Sequence, residues 1–331
     1  MNSKDKSITS RKLVKILREK NKKGIELAKT KMLEEEIRSD IIHLALEYYL
    51  SNWEVLTHPA PFTLAYEAVR GDVEKMTEAQ AAIVMLSAAL DIHDDIIDKS
   101  EEKYGKQTLI RKYGPDVGLL LGDAFFINGF MLLHDVTSKL APEKTQEVFQ
   151  VTKRALFEVG DAHALEFRFR QKMHANADEY MQVLKMKAVT IQMSMQLGAM
   201  LGRGAKEEIE ALTKFGRILG TLAALREEFI DIYETQELSQ RFKNECLPIP
   251  ILYALKDTDS KRIEKILSER KIGKGQSVEL LSLISRSRRV KALKDEMAAM
   301  IEDACRLTTN LKNAASRDLL CAVAGSMTQD L

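Results

Sequence analysis

The chain is poor in proline, cysteine and tryptophan, and it carries almost no net charge. Six prolines are spread over 331 residues, with none between Pro142 and Pro248. An interior proline costs a helix about 3 kcal/mol, so this gap leaves room for long uninterrupted helices. Three cysteines, Cys246, Cys305 and Cys321, are an odd number without metal-ligand spacing. That argues against a disulfide framework or a zinc site and suits a reducing compartment. Fifty basic residues face 49 acidic ones, a net charge of +1, so no bulk field points to nucleic acid or an anionic membrane. No apolar run reaches the ~18 residues of a membrane span and the first residues lack a signal-peptide core, so the expectation is a soluble, cytoplasmic protein. Strand-like alternation, a Gly-rich phosphate loop, a nucleophile elbow and zinc-like histidine pairs are missing as well.

What is present is helical periodicity and a large apolar fraction, 45% of residues. Apolar residues recur at i, i+3/i+4 and i+7 over Glu34–Leu50, Thr77–Ile97, Val117–Leu133, Lys144–Arg170, Asp178–Leu201, Lys206–Tyr233 and Ser277–Asn310, with shorter pieces at Ile249–Leu255 and Asp259–Arg270. Breaks are expected at His58–Pro61, Gly202–Gly204, Leu247–Pro250 and Gly273–Gly275. The pattern predicts an all-α chain: a basic N-terminal helical segment over residues 1–30, then one helical bundle around a central cavity over residues 31–331. The basic residues of the first segment, Arg11, Lys12, Lys15 and Arg18 among them, read as a solvated helix face.

The chemistry is concentrated in two acidic clusters. Residues 91–98 read Asp-Ile-His-Asp-Asp-Ile-Ile-Asp and end an apolar run. Asp94 and Asp98 share a helix face, where like charges repel unless something positive lies between them. Mg²⁺ takes such oxygen ligands, usually one or two carboxylates with water and phosphate completing the shell. A solvated acidic helix end would carry the same residues. Glu227, Glu228 and Asp231 repeat the spacing on a second predicted helix. Two such clusters facing each other would clamp a diphosphate through shared Mg²⁺ and stabilise its departure.

At this point the sequence resembles the trans-polyprenyl diphosphate synthases, the class I isoprenoid family. The likeness runs over about Ala45–Leu255. His93-Asp94-Asp95-Ile96-Ile97-Asp98 is similar to the first Asp-rich motif, and Lys103-Tyr104-Gly105-Lys106-Gln107-Thr108 resembles the Arg-Arg-Gly-Lys-Pro-Thr segment after it. Tyr113-Gly114 and Gly122-Asp123-Ala124 follow in order, then Tyr180 and Lys187-Ala188, then Glu227–Asp231 in the place of the second Asp-rich motif, then Leu247-Pro248. The resemblance implies Mg²⁺ as cofactor, held by Asp94, Asp95, Asp98, Glu227, Glu228 and Asp231. Asp94, Asp95, Asp98 and Lys187 become the catalytic candidates, and Lys103, Lys106, Lys187 and Arg226 the diphosphate-binding ones. Lys187 also reads as an ordinary surface lysine, and Arg226 equally as an internal ion-pair partner. The residue five before the first aspartate, which floors the prenyl tunnel in the family, is Ala89. With Ser87 and Ala88 beside it, the floor is small enough for a tail of about C20 or longer, although alanine is also ordinary helix core.

The departures bear on the second substrate. The Gly-Gly-Lys-Arg-x-Arg-Pro motif that holds isopentenyl diphosphate falls on Val55–Pro61, where only Pro61 remains, and the family histidine seven residues before the first aspartate is Ser87. Each lost charge-assisted hydrogen bond is worth roughly 1.5–3 kcal/mol. The second arginine of the Arg-Arg pair is Tyr104, Asp161 stands for a glutamine, and the lysine after the second motif falls near Asn244, with Lys243 or Arg241 as substitutes.

The expected activity is therefore Mg²⁺-dependent transfer from an allylic isoprenoid diphosphate to isopentenyl diphosphate or to a non-diphosphate acceptor. The protein would be a homodimer, or a heteromer with another synthase, without a nucleic-acid partner. The alternative is a non-catalytic, regulatory subunit of a heteromeric synthase. A terpene cyclase fits less well, because Thr235 stands where its motif needs a glutamate.

Overall fold

The apolar run that precedes Asp94 forms a helix buried on every side, and the fold is built outward from it. The computed structural model describes residues 10–53, 56–103, 105–233, 238, 241, 245–269, 273–329 and 331. Its contacts divide the chain into two compact units: Met1–Thr152 with Met193–Leu212 and Leu311–Ser316, and Lys153–Gln192 with Thr213–Asn310 and Arg317–Leu331.

In the first unit, helices α1 (Ser10–Leu33), α2 (Asp40–Asn52), α3 (Pro59–Ala68), α4 (Met76–Asp98), α5 (Leu109–Tyr113) and α6 (Pro115–Thr137) follow in order. Every residue of α4 from Ala79 to Ala89 is buried, and α1, α3 and α6 pack around it. Each large apolar side chain so enclosed contributes roughly 1.5–3 kcal/mol. The polar exception, Gln80, ties α1 to the centre: its Oε1 accepts the Gly24 N–H at 3.0 Å, while its Nε2 donates to Asn21 Oδ1 at 2.8 Å and Thr63 Oγ1 at 2.7 Å. A helix from Val189 to Leu201 (α9) supplies Gly198, where a Cβ would lie 2.2 Å from the carbonyl oxygen of Phe62 on α3. Only glycine permits that backbone approach.

In the second unit lie the later part of α7 (Pro142–Glu166), α8 (Ala177–Lys187), the larger part of α10 (Lys206–Ile230), α11 (Ile249–Ala254), α12 (Ser260–Leu267), α13 (Lys274–Arg286), α14 (Arg288–Leu307) and most of α15 (Ala314–Ser326). Its core is built on Tyr180, Leu184, Leu222, Phe229, Leu252 and Met297.

The all-α class read from the periodicity is the observed one; several details differ. The segment expected as one helix over Asp178–Leu201 is interrupted at Ala188, where α10 comes so close that a Cβ on Gly220 would sit 2.7 Å from the Ala188 oxygen. The segment Ser277–Asn310 breaks at Ser287, which leaves helical geometry (φ −57°, ψ 129°) and turns its hydroxyl to accept the Val290 N–H at 3.2 Å. Pro59, read as part of a break, opens α3, because proline at a first helical position loses no internal hydrogen bond. Helix α15 was not expected. A two-residue hairpin, β1 (Glu102–Lys103) with β2 (Lys106–Gln107), pairs Glu102 with Gln107 and Lys103 with Lys106. Helix α6 is long and apolar enough, by length and composition, to cross a membrane, although Asp123 interrupts its apolar run. Its Val117, Leu121, Phe125 and Leu133 are buried in the first unit.

Candidate active site

The first cluster owes its form to how α4 ends. Lys99 takes a left-handed conformation (φ 55°) and donates its N–H to Asp95 O, stopping the helix one residue after Asp98. Thr108 closes the following loop, donating its hydroxyl to Ser100 O at 2.6 Å and its N–H to Glu101 O at 3.0 Å. Gly105, with φ 73°, supplies the tight turn of the hairpin. The loop folds back on the helix and brings Lys103 to Asp91, with which it pairs, and to Asp95 Oδ1 at 3.3 Å.

Asp91, Asp94, Asp95 and Asp98 thus form a stripe at i, i+3/i+4 and i+7. Asp95 is buried, and its carboxyl is pushed up to about 7, chiefly by burial, with Lys103 opposing and the charges of Asp91 and Asp94 adding to the rise. Among the described residues, no three His, Cys, Asp or Glu side chains are already drawn into a metal-binding geometry. The stripe is nevertheless a donor set suited to Mg²⁺: crowded carboxylate oxygens at a helix end, whose mutual repulsion a hard cation relieves.

Around the stripe stand groups that support it. Tyr49 donates its hydroxyl to Asp91 Oδ2 at 3.3 Å, and burial together with the Asp91 and Asp95 charges holds its phenol well above the usual range. His93 lies against Phe126 with the ring planes 48° apart, and its Nε2 is buried 3.4 Å from Asp123 Oδ1 without a hydrogen-bond partner among the described residues. Gly122 leaves it that space, since a Cβ there would meet Nε2 at 2.5 Å. Half-buried His58 places Nδ1 2.6 Å from Ser87 Oγ. Burial depresses the His58 imidazole to about 4, against a small opposing pull from Asp91. Ser87, Ala88 and Ala89 are buried. The two alanines belong to the same apolar cluster as Trp53 and Phe125, whose rings pack 5.5 Å apart. Lys106 is exposed on the hairpin strand opposite Lys103.

The second cluster is organised around an arginine. Glu228, on α10, is buried; its Oε1 accepts from Arg241 Nη2 at 2.6 Å and from the Tyr180 hydroxyl at 3.0 Å, and its Oε2 accepts the Ile249 N–H at 2.7 Å. Arg241 also pairs with Asp231 and with Glu245 (3.3 Å), and donates to the Tyr180 hydroxyl and the Cys246 carbonyl. Burial raises the Glu228 carboxyl despite that partner. Lys187, at the end of α8, pairs with buried Glu166 at 2.5 Å. Burial would raise the Glu166 carboxyl; Lys187, Arg241 and His163 outweigh it and hold it below the usual range. Arg226 donates to the Gln329, Met327 and Ser326 carbonyls at 2.9, 3.3 and 3.5 Å. Among the described residues its hydrogen-bond partners are these backbone carbonyls. Glu227 precedes Glu228 on the same helix.

Each cluster contains residues that the sequence did not nominate. Asp91 stands in the first acidic string at i−4 from Asp95, so the spacing argument already applied to it. Glu166 and Tyr49 carry no local signal, because each meets its partner from another helix. Val55, Tyr104, Thr235, Lys243 and Asn244 lie outside the described residues.

An all-α chain with an aspartate stripe at the end of a buried helix fits the class I isoprenoid synthases. The chain belongs to the polyprenyl synthetase family, whose sequence model matches residues 40–284. It is 27% identical over 216 residues to the short chain isoprenyl diphosphate synthase of Methanothermobacter thermautotrophicus, covering 63% of this chain and 66% of that one. To heptaprenyl diphosphate synthase component 2 of Bacillus subtilis it is 24% identical over 263 residues, covering 76% and 72%. The crystal structure of geranylgeranyl pyrophosphate synthetase from Pyrococcus horikoshii matches the fold with a TM-score of 0.81 at 23% identity, covering 97% of this chain and 99% of that one.

Proposed function

We propose that the protein ionises an allylic polyprenyl diphosphate in a Mg²⁺-dependent reaction and transfers the prenyl group to an acceptor. The observation that carries this reading is the stripe of Asp91, Asp94, Asp95 and Asp98 with Lys103 folded back on it. Carboxylates crowded this way on a partly buried helix end are a cost without a cation to offset it. Mg²⁺ held by Asp94, Asp95 and Asp98 would neutralise the diphosphate and stabilise it as a leaving group. The chain's own residues set the stage for that ion. Asp91 and Lys103 fix the local charge, Tyr49 orients Asp91, and Lys187, aligned by Glu166, is the cation offered to the diphosphate. Lys106, exposed on the hairpin strand opposite Lys103, is a further cation for the diphosphate.

The acceptor follows from what surrounds Ser87. A neutral His58–Ser87 pair offers hydrogen bonds and no positive charge, which favours an acceptor without a diphosphate over isopentenyl diphosphate. The small residues at Ala88 and Ala89 favour a tail of about C20 or longer. Helix α6 exposes Leu120, Ile127 and Met131 on one face, an apolar stripe in keeping with a homodimer.

The second reading, a non-catalytic subunit of a heteromeric synthase, draws on the pairing of Glu228 and Asp231 with Arg241 and on the similarity to a protein named as a synthase component. Product analysis separates the readings. Purified protein with Mg²⁺ and a labelled C20 allylic diphosphate, with and without isopentenyl diphosphate, should release pyrophosphate in both cases. Elongation strictly dependent on isopentenyl diphosphate would sink the alternative-acceptor reading. Silence alone, together with activity restored by a partner synthase, would favour the subunit reading.

A further inference from the structure

We infer that Arg241 is the permanent counter-ion of the second acidic cluster, standing where a divalent metal would have to bind, so that Glu228 and Asp231 of this chain do not coordinate metal. The guanidinium is almost completely used by its neighbours. Its side chain is 6% exposed, and it contacts three carboxylates, those of Glu228, Asp231 and Glu245, whose side chains are 4%, 16% and 14% exposed. Its Nη2 and Nε also reach the Tyr180 hydroxyl at 2.9 Å and the Cys246 carbonyl at 3.2 Å. A planar fork of this kind matches carboxylate geometry and keeps its charge at any working pH. Glu228 is spent on the other side too, since its Oε2 accepts the Ile249 N–H at the start of α11. A metal ion entering here would have to displace the arginine, leaving a buried cation unpaired and breaking the hydrogen bonds that fix α11, a cost of the kind that makes one-sided disruption of buried pairs strongly unfavourable.

The first cluster differs. Its cation, Lys103, is one-third exposed and sits on a short hairpin, so it can yield to a metal ion. Arg241 is enclosed, 6% exposed, and is held by three carboxylates at once. Divalent ions are therefore gathered by the Asp94–Asp98 stripe, and the second cluster contributes protein structure and a fixed local charge. This inference concerns the chain's own ion binding and holds whether or not the proposed transfer occurs.

The test counts Mn²⁺ bound per chain on the full-length protein, alone and with inorganic pyrophosphate as the probe anion, alongside thermal melts with and without Mn²⁺. Asp231→Asn should leave the number of bound ions unchanged, their affinity within about twofold of the parent, and the Mn²⁺-induced rise in melting temperature the same. Arg241→Gln, if folded by its melt, should gain one Mn²⁺ site, because three largely enclosed carboxylates lose their partner. Loss of one ion, or a tenfold weaker one, in Asp231→Asn overturns the inference, as does a folded Arg241→Gln protein that gains none. If Arg241→Gln does not fold, Asp231→Asn decides alone. A parent protein that binds no Mn²⁺ in either condition counts against the proposed role of the first cluster; the Arg241→Gln gain still reads the second.

Discussion

Lys103 lies 3.3 Å from Asp95, eight residues back along the chain and on the far side of a left-handed turn at Lys99. The same ammonium pairs with Asp91. One lysine therefore serves two carboxylates at the end of α4 and keeps that helix end compatible with burial.

Lys103→Met should destabilise the metal-free protein by about 1–2 kcal/mol, less than a fully buried pair would cost because the lysine is one-third exposed. Urea unfolding with and without Mg²⁺ checks this. The stabilisation given by Mg²⁺ should be larger in the variant than in the parent, since the ion then replaces the missing charge. Equal Mg²⁺ effects in both proteins would mean that lysine and metal do not address the same carboxylates.

His58 gives stability a pH dependence of known sign. Its folded-state value, about 4, lies below the unfolded value near 6.5. Between those values the unfolded chain binds more protons, so this contribution is complete above pH 6.5 and is lost as the pH falls towards 4. Allowing for partial solvent access, the loss is of order 1–2 kcal/mol. Unfolding curves at pH 4.5 and 7.5 should show that loss in the parent, and a correspondingly smaller one in His58→Gln. An unchanged acid limb in the variant would remove His58 from the account.

Gly198→Ala should be among the costlier alanine substitutions in the protein. The new methyl would meet backbone, the Phe62 oxygen at 2.2 Å, and not the mobile end of a side chain. Overpacking typically costs 1–3 kcal/mol, so a drop of roughly 3 kcal/mol is expected. Gly160→Ala, where a Cβ meets nothing within 4 Å, is the matched control and should be neutral or better. Denaturant midpoints of the two variants give the comparison directly.

Arg226→Gln should loosen the C-terminal turn and leave the rest of the molecule intact. Three backbone carbonyls between Ser326 and Gln329 lose a charged donor, a loss of about 1–2 kcal/mol at that end. Hydrogen exchange read on a C-terminal peptide should quicken by about tenfold, with helix α4 unaffected. Unchanged exchange would show the tail to be held by its apolar contacts alone.

Much of this was legible in the sequence, and the boundary is physical. The aspartate stripe could be read because helical spacing is local: residues three or four apart share a face whatever surrounds them. The all-α class followed from the same periodicity. The partners of the stripe were not legible, because Lys103 reaches it only through a hairpin that depends on Lys99 adopting positive φ. The second cluster was harder still. Glu228 meets Arg241 across 13 residues and Tyr180 across 48, so helical spacing alone does not reveal the arginine that pairs with Glu228 and Asp231. Pro59 misled because proline both breaks helices and begins them.

The most direct test of the central claim is pyrophosphate release from geranylgeranyl diphosphate by the parent protein and by Asp94→Ala, each with Mg²⁺ and with the metal chelated. The account predicts release by the parent only when Mg²⁺ is present, and a loss of at least a hundredfold in Asp94→Ala, the equivalent of about 3 kcal/mol of transition-state stabilisation. Release at the same rate without divalent metal, or undiminished in the variant, would contradict it.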